Sequence, residues 1–235
     1  MQQLTLPFLP RAVLLFCRAP QVEAQVKSWG AQSEDIHRTI VQSTLVAIRG
    51  IDADVDLILP GDQERGLRQV VEPVIGRSRR IRVVPVFGDG FGARLICAIA
   101  GVQALGYAPV VAIPGDVAEL RPRHLHRAFA LLGDGVPVVL GPARDGGLYL
   151  LGLCVPPMKL LRKVPWRSRT VRATVESNIR ELGYERVILD PLADVDHPKG
   201  LRELHRRLMR RQPDHELVHL LSQAAEARTG EAPAS

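Results

Sequence analysis

The stretch VPVVLGPARDGGLYLLGL, residues 136–153, carries the strongest indication of the fold. Two apolar runs, VPVVLGP and LYLLGL, flank an acid that is followed by two glycines. Apolar runs without polar alternation are typical of strands buried on both faces, and such strands occur mostly in parallel sheets covered by helices. The stretch therefore predicts two buried strands that meet at Asp145, Gly146 and Gly147.

The glycine pair between these strands has two interpretations. Asp-Gly and Gly-Gly supply the positive φ that a tight hairpin turn needs. A missing Cβ also lets a bulky ligand come close to the backbone. The rest of the chain has to decide between a turn and a ligand site.

Outward from this stretch, strand-like apolar runs alternate with helical patterns. Further strands are predicted at residues 12–17, 55–60, 81–87, 109–116 and 186–190. Helices are predicted at residues 33–50, 62–71, 95–106, 122–133 and 168–182, and from about residue 198. This alternation predicts a three-layer α/β/α sandwich with a mostly parallel sheet. Folds of this kind bind ligands at the carboxyl ends of the strands.

The length of 235 residues allows one large domain or two small ones, and no linker divides the chain. We expect a single domain over residues 1–222. The last residues, AAEARTGEAPAS, have the composition of a disordered segment, so residues 223–235 are predicted to form a disordered tail.

The composition is that of an ordinary globular protein, with 46% hydrophobic and 24% charged residues. A net charge of +6 permits anionic ligands. The arginines are spread along the chain, and no basic stretch is interleaved with aromatic residues, which argues against nucleic-acid binding. Cys17, Cys97 and Cys154 lie in separate apolar runs and predict buried, reduced thiols in a cytoplasmic protein, and neither a disulfide framework nor a zinc site. Pro7 and Pro10 interrupt the first apolar run, which predicts neither a signal peptide nor a membrane span.

Two short motifs suggest other chemistries. GDGFGA, residues 88–93, fits the glycine pattern of dinucleotide-binding enzymes, but two strand–helix units precede it instead of none. HELVH, residues 215–219, fits the zinc-protease pattern, but no His or Cys follows it as a third ligand. Both are the weaker interpretations.

Acids in loops offer a third chemistry. Asp116, Asp145, Asp194 and Asp196 follow predicted strands. A divalent cation that bridges nucleotide phosphates needs one or two carboxylates, and phosphate and water complete its coordination. Carboxylates from two strand ends could meet at the edge of a parallel sheet and hold such an ion.

The order of these segments resembles a bacterial family of glycosyltransferase-A-like, nucleotide-diphospho-sugar transferases, which is related to the phospholactate and molybdenum-cofactor guanylyltransferases. The resemblance lies in LLFCRAP, FGDGFGARL, IPGDVAEL, GPARDGGLYLLGL, VPW and DVDHP, and it covers about residues 12 to 205. It implies a three-layer nucleotide-binding sandwich, in agreement with the alternation described above.

The resemblance also implies roles for individual residues. The nucleotide-binding residues would be Ala19, Pro20, Lys27, Gly92 and Arg94. The ligands of a Mg²⁺ or Mn²⁺ ion would be Asp116 and Asp196, and the catalytic residues would be Asp116 and Asp145. The acceptor-binding residues would be Gly146, Gly147 and Trp166. On this basis we favour ligand access over a simple turn at the glycine pair.

The first loop departs from the family pattern. That pattern is approximately Ala-Pro-x-Pro-Gly-x-x-Lys-Thr-Arg, whereas this chain reads APQVEAQVKSWG. The loop has lost its glycine and an arginine and has gained Glu23, a carboxylate expected to repel phosphate. VPWRSRT likewise replaces Pro-Trp-Ser-Thr and adds Arg167 and Arg169.

The sequence thus predicts a metal-dependent glycosyltransferase that uses a nucleotide-sugar donor and a small-molecule acceptor. Nucleotidyl transfer in the manner of the guanylyltransferases is the first alternative. A non-catalytic relative that keeps the fold as a binding or scaffold protein is the second. The donor, the acceptor and the oligomeric state, a homo-oligomer included, stay open.

Overall fold

The structure is a computed structural model of the chain. It describes residues 9–27, 29–30, 32–193, 198–211 and 213–230. Asp194 and Asp196, two of the predicted loop acids, lie outside the described residues. The strands are β1 (Ala12–Leu15), β2 (Asp56–Pro60), β3 (Ile81–Val84), β4 (Val110–Ile113), β5 (Val138–Pro142), β6 (Leu148–Leu153) and β7 (Arg186–Ile188).

The helices lie between and after these strands. They are α1 (Pro20–Val26), α2 (Ser33–Arg49), α3 (Glu64–Ile75), α4 (Gly90–Ala104), α5 (Pro122–Gly133), α6 (Pro157–Leu160), α7 (Val171–Glu181), α8 (Pro198–Arg211) and α9 (Glu216–Gly230), with a short 3-10 turn at Gly61–Gln63. The strands and most of the helices were predicted from the sequence. Helix α1 was not, because its seven residues show no clear apolar face.

Within the described residues, seven strands form one sheet in the order β3-β2-β1-β4-β6-β5-β7. β6 runs antiparallel to its neighbours β4 and β5, and the other pairings are parallel. The predicted fold class, a sandwich with a mostly parallel sheet, is therefore confirmed. The chain first builds the sheet outward from β1 through β2 to β3, and then returns to the other side of β1 with β4.

The sheet is covered on both faces, which explains why its strands lack polar alternation. On one face Val13 and Leu15 of β1 pack in a cluster with residues of α2, α3 and α5. On the other face Ala12 and Leu14 pack with residues of α4, α6 and α7. Successive side chains of a strand point to opposite faces, so a strand buried on both sides needs apolar residues throughout.

A third cluster lies outside this sandwich. Leu204 and Leu208 of α8 and Leu217 of α9 pack against Ile36 and Ile40 of α2. The predicted domain boundary at residue 222 falls inside α9, which continues to Gly230. Residues 231–235 lie outside the described part of the chain, and the disordered tail stays a prediction there. In the described part of the chain, no helix has both the length and the apolar composition of a membrane span.

Candidate functional site

The crevice between β1 and β4 is the topological switch point of the sheet. The chain leaves β1 toward β2 on one side and β4 lies on the other, so the loops that follow β1 and β4 diverge above the sheet. Open α/β sheets bind their ligands in such a crevice, at the carboxyl ends of the strands. The loop after β1 leads through Arg18 into α1, and the loop after β4 carries Asp116.

An ionic network joins these two loops. The Lys27 ammonium lies 3.3 Å from the nearer carboxylate oxygen of Asp116 and 3.0 Å from that of Glu23. The other Glu23 oxygen accepts a hydrogen bond of 2.7 Å from Arg18. The four side chains are only 17–34% exposed. The structure thus brings together Lys27 and Asp116, two predicted site residues that are 89 positions apart in the chain.

Glu23 therefore has a partner for each of its oxygens, which the sequence did not suggest. Burial by itself raises the pKa of Glu23, but Lys27 and Arg18 together outweigh burial and hold that pKa below its ordinary value. The carboxylate is ionised and neutralised locally. The expected repulsion between Glu23 and phosphate is reduced accordingly, since the loop carries two cations for this one anion.

The end of α1 is tied to the beginning of α2. The Lys27 carbonyl accepts hydrogen bonds from Ser33 Oγ at 3.0 Å and from His37 Nε2 at 3.1 Å. The Trp29 ring stacks on the His37 ring with centroids 3.9 Å apart. Burial lowers the pKa of His37 and outweighs the opposite effect of the Lys27 carbonyl. These contacts fix the backbone from which the Lys27 side chain extends.

Ala19 and Pro20, both predicted to bind the nucleotide, form the start of α1. Ala19 and Pro20 are both buried. The Ala19 N–H donates a hydrogen bond of 3.1 Å to Gln63 Oε1. The side chains of Ala19 and Pro20 therefore pack inside the protein, and nucleotide binding by these two residues stays a prediction. The floor of the crevice is close-packed as well, because a Cβ on Gly115 would lie 2.7 Å from Cys17 Sγ.

The Cys17 thiol lies in this floor beside the ionic network. Burial raises its pKa, and the negative charges of Asp116 and Glu23 raise it further. A thiol with a raised pKa is a poor nucleophile at neutral pH. Among the described residues all three cysteines are free thiols, but Cys17 and Cys97 are only partly buried and Cys154 is exposed, so the predicted burial of the three side chains is wrong.

The beginning of α4 forms the next wall of the site. A Cβ on Gly92 would lie 2.2 Å from Trp166 Nε1, so the indole ring lies directly on this glycine. The Phe91 ring lies 5.1 Å from the Trp166 ring and 5.5 Å from the Phe16 ring, centroid to centroid. Gly92 and Trp166 were predicted on the nucleotide and acceptor sides respectively. The structure places them in contact.

Arg94 was also predicted to face the nucleotide. Its guanidinium forms an ion pair with Asp62, in the 3-10 turn after β2. Both side chains are about one-third exposed. A nucleotide phosphate would have to compete with Asp62 for Arg94, so the assignment of Arg94 as a phosphate ligand stays a prediction.

The Asp145 loop connects β5 to the antiparallel β6 and is a tight turn. The Asp145 carboxylate accepts a hydrogen bond of 2.8 Å from the Gly147 N–H, and the Ala143 N–H donates to the Gly147 carbonyl at 3.0 Å. Gly146 has φ of 99°, and a Cβ there would lie 2.1 Å from the Arg169 carbonyl oxygen. A hairpin turn therefore explains Gly146. This was the interpretation that we did not favour from the sequence.

The space beside Gly146 is therefore filled by the chain's own backbone and not by a ligand, which corrects the reason given for this glycine. Gly147 has no positive φ, and a Cβ there would lie 3.1 Å from the Asp145 carboxylate. The Asp145 side chain is exposed. Acceptor binding at Asp145 and Gly147 stays a prediction.

The two alternative motifs have structural explanations. GDGFGA follows β3, the edge strand, and its Phe91 and Gly92 pack against Phe16 and Trp166, so packing inside the protein explains these positions of the motif. His215 precedes α9, and its ring nitrogens contact the Ser43 hydroxyl at 3.3 Å and the Leu217 N–H at 3.1 Å. Both nitrogens of His215 are thus engaged, which disfavours the zinc-protease interpretation of HELVH.

The predicted metal site is only partly within the described residues. Among these residues, no group of three or more His, Cys, Asp or Glu side chains is arranged to hold a metal ion. A magnesium or manganese ion bound with a nucleotide needs only one or two carboxylates, because phosphate oxygens and water complete its shell. Asp116, at the switch point, fits this requirement. Asp196, the second predicted ligand, lies outside the described residues.

Residues 44–168 match the family described as "Uncharacterized protein conserved in bacteria (DUF2064)". This match spans just over half of the chain. The chain belongs to the DUF2064 family. No curated protein matches it.

Solved structures share the fold of this DUF2064 protein. A proposed nucleotide-diphospho-sugar transferase from Desulfovibrio desulfuricans has 20% identity and a TM-score of 0.74, over 94% of this chain and 98% of that chain. A cytidylyltransferase from Leptospira borgpetersenii has 11% identity and a TM-score of 0.53, over 94% and 96%. A 4-diphosphocytidyl-2C-methyl-D-erythritol synthase from Anaerococcus prevotii has 9% identity and a TM-score of 0.53, over 85% and 96%. The DUF2064 protein thus has the nucleotide-diphospho-sugar transferase fold.

The sequence analysis missed two contributors to the site. Arg18 directly follows the first strand and could have been found by the rule that identified the loop acids. The Phe16–Phe91–Trp166 contacts could not, because nothing in the spacing of these residues indicates that their rings meet.

Proposed function

We propose that the protein is a transferase that binds a nucleotide-sugar donor with a divalent cation in the crevice between β1 and β4, and that it passes the sugar to a small-molecule acceptor. The observation that carries this proposal is the Lys27–Asp116 pair, which places an ammonium and a carboxylate 3.3 Å apart at the switch point. A cationic side chain such as Lys27 binds a diphosphate, and a carboxylate such as Asp116 binds the metal ion that accompanies the diphosphate.

Each residue of the ionic network then has a role. Lys27 and Arg18 would bind the diphosphate oxygens, and Glu23 would hold both cations in place when the donor is absent. Asp116 would hold Mg²⁺ or Mn²⁺, with Asp196 as its second ligand. The bound cation would stabilise the negative charge of the leaving nucleoside diphosphate.

The acceptor would lie at the Asp145 turn. In the transfer, the bond between the sugar C1 and the diphosphate oxygen breaks, and a bond from C1 to the acceptor oxygen forms. The acceptor hydroxyl loses its proton, and Asp145, an exposed carboxylate held by the Gly147 N–H, would receive it.

The first experiment is calorimetric titration of UDP, GDP and their sugar conjugates, with Mn²⁺ and with EDTA. We expect metal-dependent binding to wild type. Asp116→Asn should weaken it at least about tenfold, because hydrogen bonds and ion pairs of charged groups are worth about 1.5–3 kcal/mol each. Asp134→Asn, at an exposed carboxylate after α5, is the control and should bind as wild type does.

The absence of nucleotide binding by folded wild type would overturn the proposal and would leave the non-catalytic scaffold. Equal binding by Asp116→Asn would remove Asp116 from the site.

Nucleotidyl transfer is the second candidate, because the fold is shared with two cytidylyl-type enzymes, from Leptospira borgpetersenii and Anaerococcus prevotii. The released product separates the two reactions: a nucleoside diphosphate supports glycosyl transfer, and pyrophosphate supports nucleotidyl transfer.

A cytoplasmic location stays a prediction from cysteine usage.

A further inference from the structure

Three arginines surround the Asp145 turn. Arg144 precedes Asp145 in the chain, and Arg167 and Arg169 lie in the loop whose backbone packs against Gly146. The side chains of all three are exposed. We call Arg144, Arg167 and Arg169 the arginine cluster. It lies beside the turn that is proposed to bind the acceptor.

No carboxylate in the described part of the chain forms an ion pair with the arginine cluster. Asp145 directly follows Arg144 in the chain, and one of its carboxylate oxygens accepts a hydrogen bond from the Gly147 N–H. By contrast, Arg172 in the following helix is bound to Glu176 at 2.6 Å. The three arginines are thus without an ion pair in the described part of the chain, whereas the ionic network near Lys27 is largely balanced internally.

The loop that carries two of these arginines is held at both ends. At one end Trp166 lies on Gly92. At the other end the Arg169 carbonyl contacts Gly146, and the Arg172 N–H donates to the Gly146 carbonyl at 3.0 Å. Arg167, between these anchors, has φ of 66°. Residues other than glycine adopt this left-handed conformation rarely, and they do so often at ligand sites.

We propose that the arginine cluster is an anion-binding subsite, which binds a phosphate or carboxylate group of the acceptor. Guanidinium groups bind both kinds of oxyanion through two parallel hydrogen bonds. Because the loop is anchored before the ligand arrives, little backbone ordering opposes binding. The identity of the ligand as the acceptor rests on the proposed function; the anion site itself does not.

The test is calorimetric titration of inorganic phosphate, and separately of acetate, at low ionic strength. The test variant is Arg167→Asn/Arg169→Gln, in which asparagine tolerates the left-handed backbone at position 167. The control is Arg127→Gln/Arg180→Gln, which removes two other exposed arginines that form no ion pair among the described residues.

We expect saturable binding of at least one anion to wild type, and binding at least about tenfold weaker in the Arg167/Arg169 variant. The control should retain wild-type affinity. The preferred anion, phosphate or acetate, identifies the acceptor group.

Two results would overturn the subsite: no saturable binding to wild type, or unchanged binding in the Arg167/Arg169 variant. Circular dichroism establishes that each variant is folded. If nucleotides fail to bind while phosphate binds through the arginines, the proposed function is wrong and the subsite remains.

Discussion

At the scale of single residues, Glu23 links the two cations of the candidate site. Its carboxylate is paired with both Arg18 and Lys27, and its pKa is held below the ordinary value of 4.5 because the two cations outweigh the effect of burial. A carboxyl whose pKa is lower in the folded than in the unfolded state stabilises the fold above its unfolded pKa. That stabilisation is lost as the pH falls through the folded-state pKa.

Glu23→Gln is therefore expected to lower the free energy of unfolding at pH 7 by about 1 kcal/mol, which allows for partial exposure of the pairs. The difference from wild type should shrink as the pH falls below 4.5. Urea denaturation at pH 7 and at pH 3.5 measures both. Glu64→Gln is the control, because Glu64 pairs with Arg68 on the exposed surface of α3. This substitution should lower the free energy of unfolding by less than about 0.5 kcal/mol.

A difference between wild type and Glu23→Gln that is equal at the two pH values would show that the carboxylate charge contributes nothing. The charges of the ionic network around Glu23 would then contribute nothing to the free energy of unfolding.

At the scale of elements, the beginning of α4 and the loop before α7 form one packing unit. Trp166 occupies the space that a side chain at position 92 would need, and its ring also contacts Phe91. The loop therefore depends on a glycine in the first turn of another helix. This dependence places the arginine cluster at a fixed position beside the Asp145 turn.

Two glycines in α4 allow a matched test of this packing. Gly92→Ala brings a Cβ to 2.2 Å from the Trp166 ring, so the ring has to move, and overpacking of this kind typically costs about 1–3 kcal/mol. Gly101→Ala brings a Cβ only to 3.7 Å from the nearest Val84 carbon, an ordinary contact. Because alanine favours helix over glycine, Gly101→Ala should be neutral or stabilising by up to about 1 kcal/mol.

Urea denaturation compares the two variants, and Trp fluorescence reports the change around Trp166. If Gly92→Ala were as stable as Gly101→Ala, with unchanged fluorescence, Trp166 would not be packed on α4.

At the scale of the whole molecule, three histidines from different regions are held neutral by burial. Burial lowers the pKa of His37 in α2, of His124 in α5 and of His215 before α9, and this effect outweighs the contacts that raise it. In the unfolded chain each would titrate near its ordinary value of 6.5. The unfolded state thus binds more protons than the folded state just below that pH.

Stability should therefore fall as the pH drops below about 6.5, because unfolding takes up protons there. Chemical denaturation between pH 7.5 and 5.5 measures the slope. His37→Gln should flatten this slope relative to wild type, whereas His126→Gln, at an exposed histidine of α5, should leave it unchanged. A stability that is flat over this range in wild type would contradict the prediction.

Much of the fold follows from local patterns. Apolar runs of five to eight residues predicted the strands, and the helical patterns of α2 and α5 predicted those helices within a few residues. Helix α1 was missed because a short segment with Pro20 and Glu23 has no periodicity that exceeds that of a loop. The antiparallel direction of β6 follows from the hairpin turn at Asp145–Gly147, the interpretation that we did not favour, because an apolar run buried on both faces has the same pattern in either direction.

For the site, the sequence by itself determined which residue types end the strands: cations after β1 and carboxylates after β4 and β5. Only the tertiary structure decided which of them meet. Lys27 and Asp116 are in contact because β1 and β4 are neighbours in the sheet, and Gly146 is a glycine because the Arg169 carbonyl lies against it. The physical reason is that the spacing of apolar residues indicates burial along a single strand or helix. Contacts between distant residues depend instead on the order of the strands in the sheet and on the packing of the loops.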